Sequence, residues 1–261
     1  MKILKNLAAA FSLYSRIPMP RFELDDEDSS SVIAFLPLVG ALVGGVLFVV
    51  IRFLSNKPVN VSFKALMAVI IPLVITGGFH VDGFMDTVDA IRSYRSKEEK
   101  LEILKDPHSG AFAITGAAAA ALLLIFSFGT IIHLEMTKDV PIVIFACGVF
   151  VISRGMAALT SLMMKKAKDD GMLVAETKDS GTGSAVFLLI VITAVVSFMA
   201  FLSALYTGVI ALVFAVFTFI YRFVVNRNFG GVTGDTAGFY IVTSEVYAIT
   251  ALAVTAILTL G

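Results

Sequence analysis

The sequence predicts an all-α fold, a polytopic membrane bundle of about seven transmembrane helices with an N-terminal amphipathic segment. Three observations predict it. The 261 residues are 58% hydrophobic and only 15% charged, with a mean hydropathy of +0.93, whereas a soluble domain is nearer a quarter charged. Several apolar runs approach or exceed the roughly 20 residues that cross a bilayer. The basic residues sort by loop, as they do in membrane proteins. The expected organisation is one membrane-embedded catalytic domain over residues 1–261.

At the N-terminus, Lys2 and Lys5 precede a short apolar stretch, Leu7–Tyr14, and Arg16 and Pro18 follow it. A cleaved signal peptide would fit, but charge returns so soon that an amphipathic segment in the interface is the favoured reading. Glu23–Asp28 with Ser29–Ser31 reads as a solvated linker or helix start. The first span is about Val32–Leu54, and its Gly40 and Gly44 make a small-xxx-small pattern that permits close helix contact, within one chain or in a homo-oligomer. The second, about Phe63–Phe79, is short and carries Pro72, Gly77 and Gly78, features of a span whose backbone leaves the helix to line a cavity.

Residues Ile91–Gly110 are the most charged segment, with Ser96 and Glu99 spaced as a capping box and Pro107 marking a helix boundary at Asp106. A third span, about Ala111–Ile132, leads to a loop holding His133, Glu135, Lys138 and Asp139. The fourth is about Pro141–Met164. A polar loop, Lys165–Gly183, contains Lys165, Lys166, Lys168, Lys178 and the run Asp179–Gly183, which reads as a flexible loop or, less readily, a phosphate contact. The fifth span is about Ser184–Tyr206, with a turn at Thr207-Gly208, and the sixth about Val209–Val225. A glycine loop, Asn226–Asp235, opens the seventh, about Thr236–Leu260. With seven spans, 15 of the 20 Lys and Arg residues fall on the N-terminal side and four on the other, with Arg154 inside a span. That bias places the N-terminus and the polar loops in the cytoplasm, in a multi-pass protein of the cell (inner) membrane. The lone cysteine, Cys147, excludes an internal disulfide and any multi-cysteine metal site.

The stretch with most chemistry is Thr76–Ala90. It packs His80, Asp82, Asp86 and Asp89 into ten residues at the end of an apolar span. Asp82, Asp86 and Asp89 stand at i, i+4 and i+7, one face of a helix. Like charges so placed are unfavourable without a cation, and clustered carboxylates with substrate phosphates are the usual setting for Mg²⁺. His80 is a candidate for proton transfer or phosphate contact. In Gly230-Gly-Val-Thr-Gly-Asp235, the backbone at Gly231, Thr233 and Gly234 can approach an anion at the start of a helix, and Asp235 can add a metal ligand. An inter-helix turn with an N-cap explains the same residues equally well. Arg154 and Glu245 lie inside spans, at depths of roughly 15 Å. They read as a buried pair or as the floor of a polar cavity. His108, beside Asp106, is a candidate phosphate contact, and His133 an interfacial loop residue.

Three blocks, Gly77–Asp89, Leu104-Lys-Asp-Pro-His-Ser-Gly110 and Gly230–Asp235, together resemble the cobalamin synthase family, the adenosylcobinamide-GDP ribazoletransferases. All three occur in order, and the resemblance covers nearly the whole chain. Ala90 stands where the family pattern has glycine, Leu104 where it has methionine, and Pro107-His108 where Ser-Arg is more typical. The resemblance implies transfer of adenosylcobinamide phosphate from adenosylcobinamide-GDP to α-ribazole, or its 5′-phosphate. The products are adenosylcobalamin, or its 5′-phosphate, and GMP, in a late step of cobalamin biosynthesis. It implies a Mg²⁺-dependent phosphotransferase of prokaryotic membranes; nucleic acid is not an expected partner. On this reading Asp82, Asp86 and Asp89 hold Mg²⁺ on the pyrophosphate and Asp235 completes the site. Arg92, Lys105 and Arg154 neutralise the departing phosphate, with Asp106 and Glu245 counted among the substrate-binding residues. His80 or a carboxylate takes the proton. Two other readings compete. A CDP-alcohol phosphotransferase does the same class of displacement, but its Ala-Arg and second glycine are not in register here. An ion-coupled transporter could use Arg154, Glu245 and the broken second span.

Overall fold

The computed structural model describes residues 2–20, 31–177 and 180–261. The acidic stretch at 23–28 and the pair 178–179, with the linker and phosphate-loop readings placed on them, lie outside the described residues. Eleven α-helices are assigned among the described residues. They are α1 Lys2–Tyr14, α2 Leu36–Ser55 (entered through a 3-10 turn, Val32–Phe35), α3 Val61–Thr76, α4 Phe79–Arg92, α5 Lys97–Ile103, α6 Ala111–Lys138, α7 Val143–Met163, α8 Met172–Thr177, α9 Thr182–Leu202, α10 Ala204–Phe229 and α11 Gly234–Leu260. Six spans are long and apolar enough to cross a membrane, and α3 with α4 pass that test only as a pair bent by 96°. A helix turned that far does not continue the crossing. We therefore read α3, about 24 Å long at 1.5 Å per residue, as the seventh span and α4 as leaving it.

The bend has a local cause. Gly77 ends α3 with φ 64° and Gly78 begins α4 with φ 81°, left-handed conformations that cost glycine little. Two such residues in succession redirect the chain where one would only end a helix.

Spans α7 and α11 form the centre. Helix α2 packs on α7 through the expected small-residue pattern: a Cβ on Gly44 would stand 2.5 Å from the Cys147 carbonyl oxygen, and one on Gly40 would collide with that of Phe150. The pattern thus serves a contact within the chain. Helices α7 and α11 are joined by the pair expected from sequence. The Arg154 Nη1 donates to Glu245 Oε1 at 2.5 Å, and Ser153 Oγ donates to the same oxygen at 2.7 Å. Arg154 and Glu245 are both buried, a setting in which breaking one partner costs about 3–5 kcal/mol.

Three boundaries differ from expectation. The third span does not end at Ile132; α6 runs on to Lys138, and His133 and Glu135 are helical. Glu135 Oε2 accepts from Val143 N at 2.6 Å and Glu135 Oε1 pairs with Arg52 at 3.2 Å, so its charge is compensated inside the helix. The fifth turn lies at Ser203, not at Thr207-Gly208. Ser203 is extended and its hydroxyl accepts from Tyr206 N, an N-cap, while Gly208 is an ordinary helical residue. The glycine loop is shorter than 226–235, because α10 continues to Phe229 and Gly230, at φ 79°, ends it. The capping box at Ser96 and Glu99 and the N-terminal amphipathic helix are present.

Candidate active site

Within Thr76–Ala90, the residues from Phe79 onward, which carry His80 and the three aspartates, are helical as α4. This helix packs against α11 and α6, and glycines set both approaches. A Cβ on Gly83 would lie 2.9 Å from Asp235 Cα, and one on Gly238 would lie 2.8 Å from the His80 carbonyl oxygen. Backbones meet closely only where side chains are absent. The Gly83–Asp235 contact therefore carries Asp82 and Asp86, on one face of α4, to the first turn of α11. The charges register one another. The Asp86 carboxyl is pushed up to about 6, first by burial and then by Asp82, Asp235, Asp89 and Asp106. A group of carboxylates that oppose each other's ionisation suits a cation.

Asp89 is differently placed. Its Oδ2 accepts from Gly110 N at 2.5 Å and its Oδ1 from Ala113 N at 2.8 Å. It supplies α6 with the cap that Gly110 cannot. His80, two residues before Asp82, is on the opposite face of α4. It is buried, stacks on Tyr14 with centroids 6.3 Å apart, and its Nε2 has no partner. Burial and then the charge of Arg154 hold its pKa well below the usual histidine range. It thus faces the bundle interior with a neutral ring, away from the carboxylates.

The glycine loop is held by the loop that follows α7. Val232 N donates to the Lys165 carbonyl at 2.9 Å and Ala167 N donates to the Val232 carbonyl at 3.0 Å, an isolated parallel bridge between Lys166 and Val232. A Cβ on Gly231 would collide with the backbone of Lys165 and Lys166. The absent side chain here admits protein backbone. Thr233 caps α11, its hydroxyl accepting from Thr236 N at 3.1 Å, while Thr236 Oγ1 accepts from Thr233 N at 2.8 Å.

Between these elements lies a pocket of 230 Å³, bordered by Asp82, Gly83, Thr233, Gly234 and Asp235, with Lys168 and Asp170 from the loop after α7. Lys168 is the basic residue at this pocket, and the charge of Asp235 is sensed from it. Sequence reading counted Lys168 among four lysines of one loop and gave it no role. Nothing in the sequence pairs it with a segment 64 residues later; the Lys166–Val232 bridge does.

The other basic candidates are elsewhere. Lys105 is exposed and bonds Glu102 at 2.8 Å. Arg92 is exposed at the end of α4. Arg154 is paired with Glu245 within the bundle. Asp106 bonds the exposed His108, with Nδ1 and Oδ1 2.7 Å apart. Among the described residues, no three His, Cys, Asp or Glu side chains are disposed to close on one metal ion. A Mg²⁺ shared with substrate needs fewer, since it commonly takes one or two carboxylates plus phosphates and water. Asp82 and Asp235, which line the pocket together, are two such carboxylates.

The family model described as cobalamin-5-phosphate synthase matches residues 6–253. The chain is 39% identical over 251 residues to an adenosylcobinamide-GDP ribazoletransferase of Lachnoclostridium phytofermentans, covering 95% of this chain and 93% of the relative. Enzymes of the same name from Clostridium botulinum strain Alaska E43 and Clostridium perfringens strain ATCC 13124 are 33% and 31% identical, over 94% and 97% of this chain and 95% and 100% of the relatives. No solved structure gives a significant match. With the model and the full-length relatives in agreement, the chain belongs to the cobalamin-5-phosphate synthase family.

Proposed function

We infer that the chain is an adenosylcobinamide-GDP ribazoletransferase of cobalamin biosynthesis. A ribose hydroxyl of α-ribazole, or of α-ribazole 5′-phosphate, attacks the cobinamide-side phosphorus of adenosylcobinamide-GDP. An oxygen–phosphorus bond forms, the bridging P–O bond breaks, and GMP leaves with the bridging oxygen. Displacement at phosphorus asks a protein mainly for positioning and charge neutralisation.

The single observation that carries this reading is the crossing of α4 and α11 at Gly83, which sets Asp82 and Asp86 beside Asp235. These carboxylates would hold Mg²⁺, which supplies neutralisation of the pyrophosphate charge. Lys168 faces the same pocket and receives charge on the departing phosphate. Asp89 keeps α4 and α6 in register. The hydroxyl proton passes to a carboxylate of this group, because His80 faces the interior. A transporter would place its ionisable groups along a path across the bundle; here Arg154 and Glu245 are spent on each other.

The test is GMP release by the purified protein in detergent, with and without Mg²⁺. Replacing Asp86→Asn is expected to lower turnover by at least about a hundredfold, the usual cost of losing one preorganised electrostatic partner, while insertion is preserved. Turnover like that of the unaltered protein in this variant removes the cation-site assignment. No GMP release by the unaltered protein overturns the reaction itself.

A further inference from the structure

Asp82 borders two cavities. One is the 230 Å³ pocket with Lys168 and the glycine loop; the other, of 660 Å³, lies between α1 and α4. Phe79 and Asp82 line both. In the larger cleft the facing residues are Ser12, Arg16, Thr76 and Met85.

Arg16 is built into this place. Its backbone N donates to the Ile75 carbonyl at 2.8 Å. Its side chain lies across Gly77, where any Cβ would collide with it. The glycine that bends the chain therefore also admits the arginine over the bend, next to the start of the carboxylate helix. Arg16 is exposed, and no acidic partner is found for it among the described residues. A guanidinium so held is suited to a phosphate monoester, which it can bind through two parallel hydrogen bonds.

In-line displacement at phosphorus brings the entering and leaving oxygens in from opposite sides. Phe79 and Asp82 line both cavities, so an acceptor held in one and a donor held in the other would both reach Asp82. We propose that the cleft beside α1 is the acceptor site, that it takes α-ribazole 5′-phosphate, and that Arg16 binds the 5′-phosphate. Met85 and Phe79 offer apolar surface to the aromatic base. The pocket with Lys168 is left to the guanosine phosphates. This assignment rests on the transferase reading and adds to it which cavity each substrate enters.

The experiment compares α-ribazole with its 5′-phosphate as acceptors for the full chain in detergent, at saturating adenosylcobinamide-GDP. GMP release by the unaltered protein establishes the reaction first; without it both readings fall. The unaltered protein is expected to favour the phosphorylated acceptor in kcat/KM. In Arg16→Ala that preference should fall about 10- to 100-fold, the range for losing hydrogen bonds to a charged group, with the change in acceptor KM. Arg16→Lys should restore part of it. An equal fall for both acceptors, as a merely structural role at Gly77 would give, overturns the proposal. So does a rise confined to the KM of adenosylcobinamide-GDP, read in a second series that varies it at saturating acceptor.

Discussion

Glu176 on α8 is a carboxyl whose pKa the fold raises. It is 4% exposed and its Oε2 accepts from Tyr14 Oη at 2.7 Å. Burial pushes it up to about 7, and the Tyr14 hydrogen bond only partly opposes that. A carboxyl raised above its unfolded value contributes stability that is complete below the unfolded pKa, near 4.5, and is lost as pH rises through about 7. Glu176→Gln keeps an acceptor for Tyr14 and has no charge to bury. It should match the unaltered protein near pH 5 and exceed it near pH 8 by on the order of 2 kcal/mol, read as melting in detergent at both pH values. Equal melting at the two pH values would show that Glu176 ionises freely. At Lys168 the expectation is catalytic. Lys168→Ala should lower kcat/KM for adenosylcobinamide-GDP about 10- to 100-fold, with partial recovery in Lys168→Arg. An unchanged value would remove Lys168 from the phosphate site. At Asp89 the sequence reading and the structure supply different physics. Spacing put it with Asp82 and Asp86, whereas its oxygens satisfy the first turn of α6. Helical periodicity gives a direction for each carboxylate, not what lies opposite it.

Among the elements, the junction of α4 with α11 governs the site. Gly83→Ala puts a methyl group where the nearest backbone atoms of Asp235 are 2.9 Å away. Overpacking of this kind costs about 1–3 kcal/mol and would separate Asp82 and Asp86 from Asp235. Activity should fall by roughly the same free energy, about 5- to 150-fold. Gly45→Ala is the control, because its Cβ would meet nothing within 4 Å. If both variants melt and turn over alike, the crossing does not position the site. The glycines of the sequence therefore differ in meaning. Gly77 and Gly78 are needed for φ, Gly83 and Gly238 for contact, and Gly208 for neither. Sequence reading placed a turn at Thr207-Gly208. The actual break at Ser203 depends on a hydroxyl finding the Tyr206 N–H, a signal no louder than any other serine in an apolar run.

At the scale of the whole molecule, the contacts sort the segments between spans into two groups. Arg16 meets Ile75, Lys165 meets Val232, and Lys100 Nζ meets Asn228 at 2.7 Å; these join the segment after α1 to the end of α3, the two polar loops to each other, and α5 to the end of α10. Arg52 meets Glu135, and Glu135 meets Val143, at the ends of spans that face the other way. The first group is the one rich in Lys and Arg, and from the basic-residue bias we propose that it lies on the cytoplasmic side. Cys147 is buried, so single introduced cysteines can report this. Lys138→Cys should react with a membrane-impermeant maleimide from outside intact cells, and Lys97→Cys only after permeabilisation. The reverse pattern would invert the topology.

Composition, span lengths and the three polar blocks determined by themselves that the chain is a helical membrane protein of the cobalamin-5-phosphate synthase family. These are properties of local sequence: hydropathy over a span, periodicity over two turns, and a capping box over four residues. The pairing of Arg154 with Glu245 was also legible, because two charges at equal depth in apolar surroundings have little else to meet. Only the tertiary structure decided that His80 faces inward, that Asp89 caps α6, that Lys168 reaches the pocket, and that Asp82 stands between two cavities. Each depends on contacts between segments distant in the chain, fixed by close approaches at Gly77, Gly83 and Gly231 that single-segment patterns do not encode.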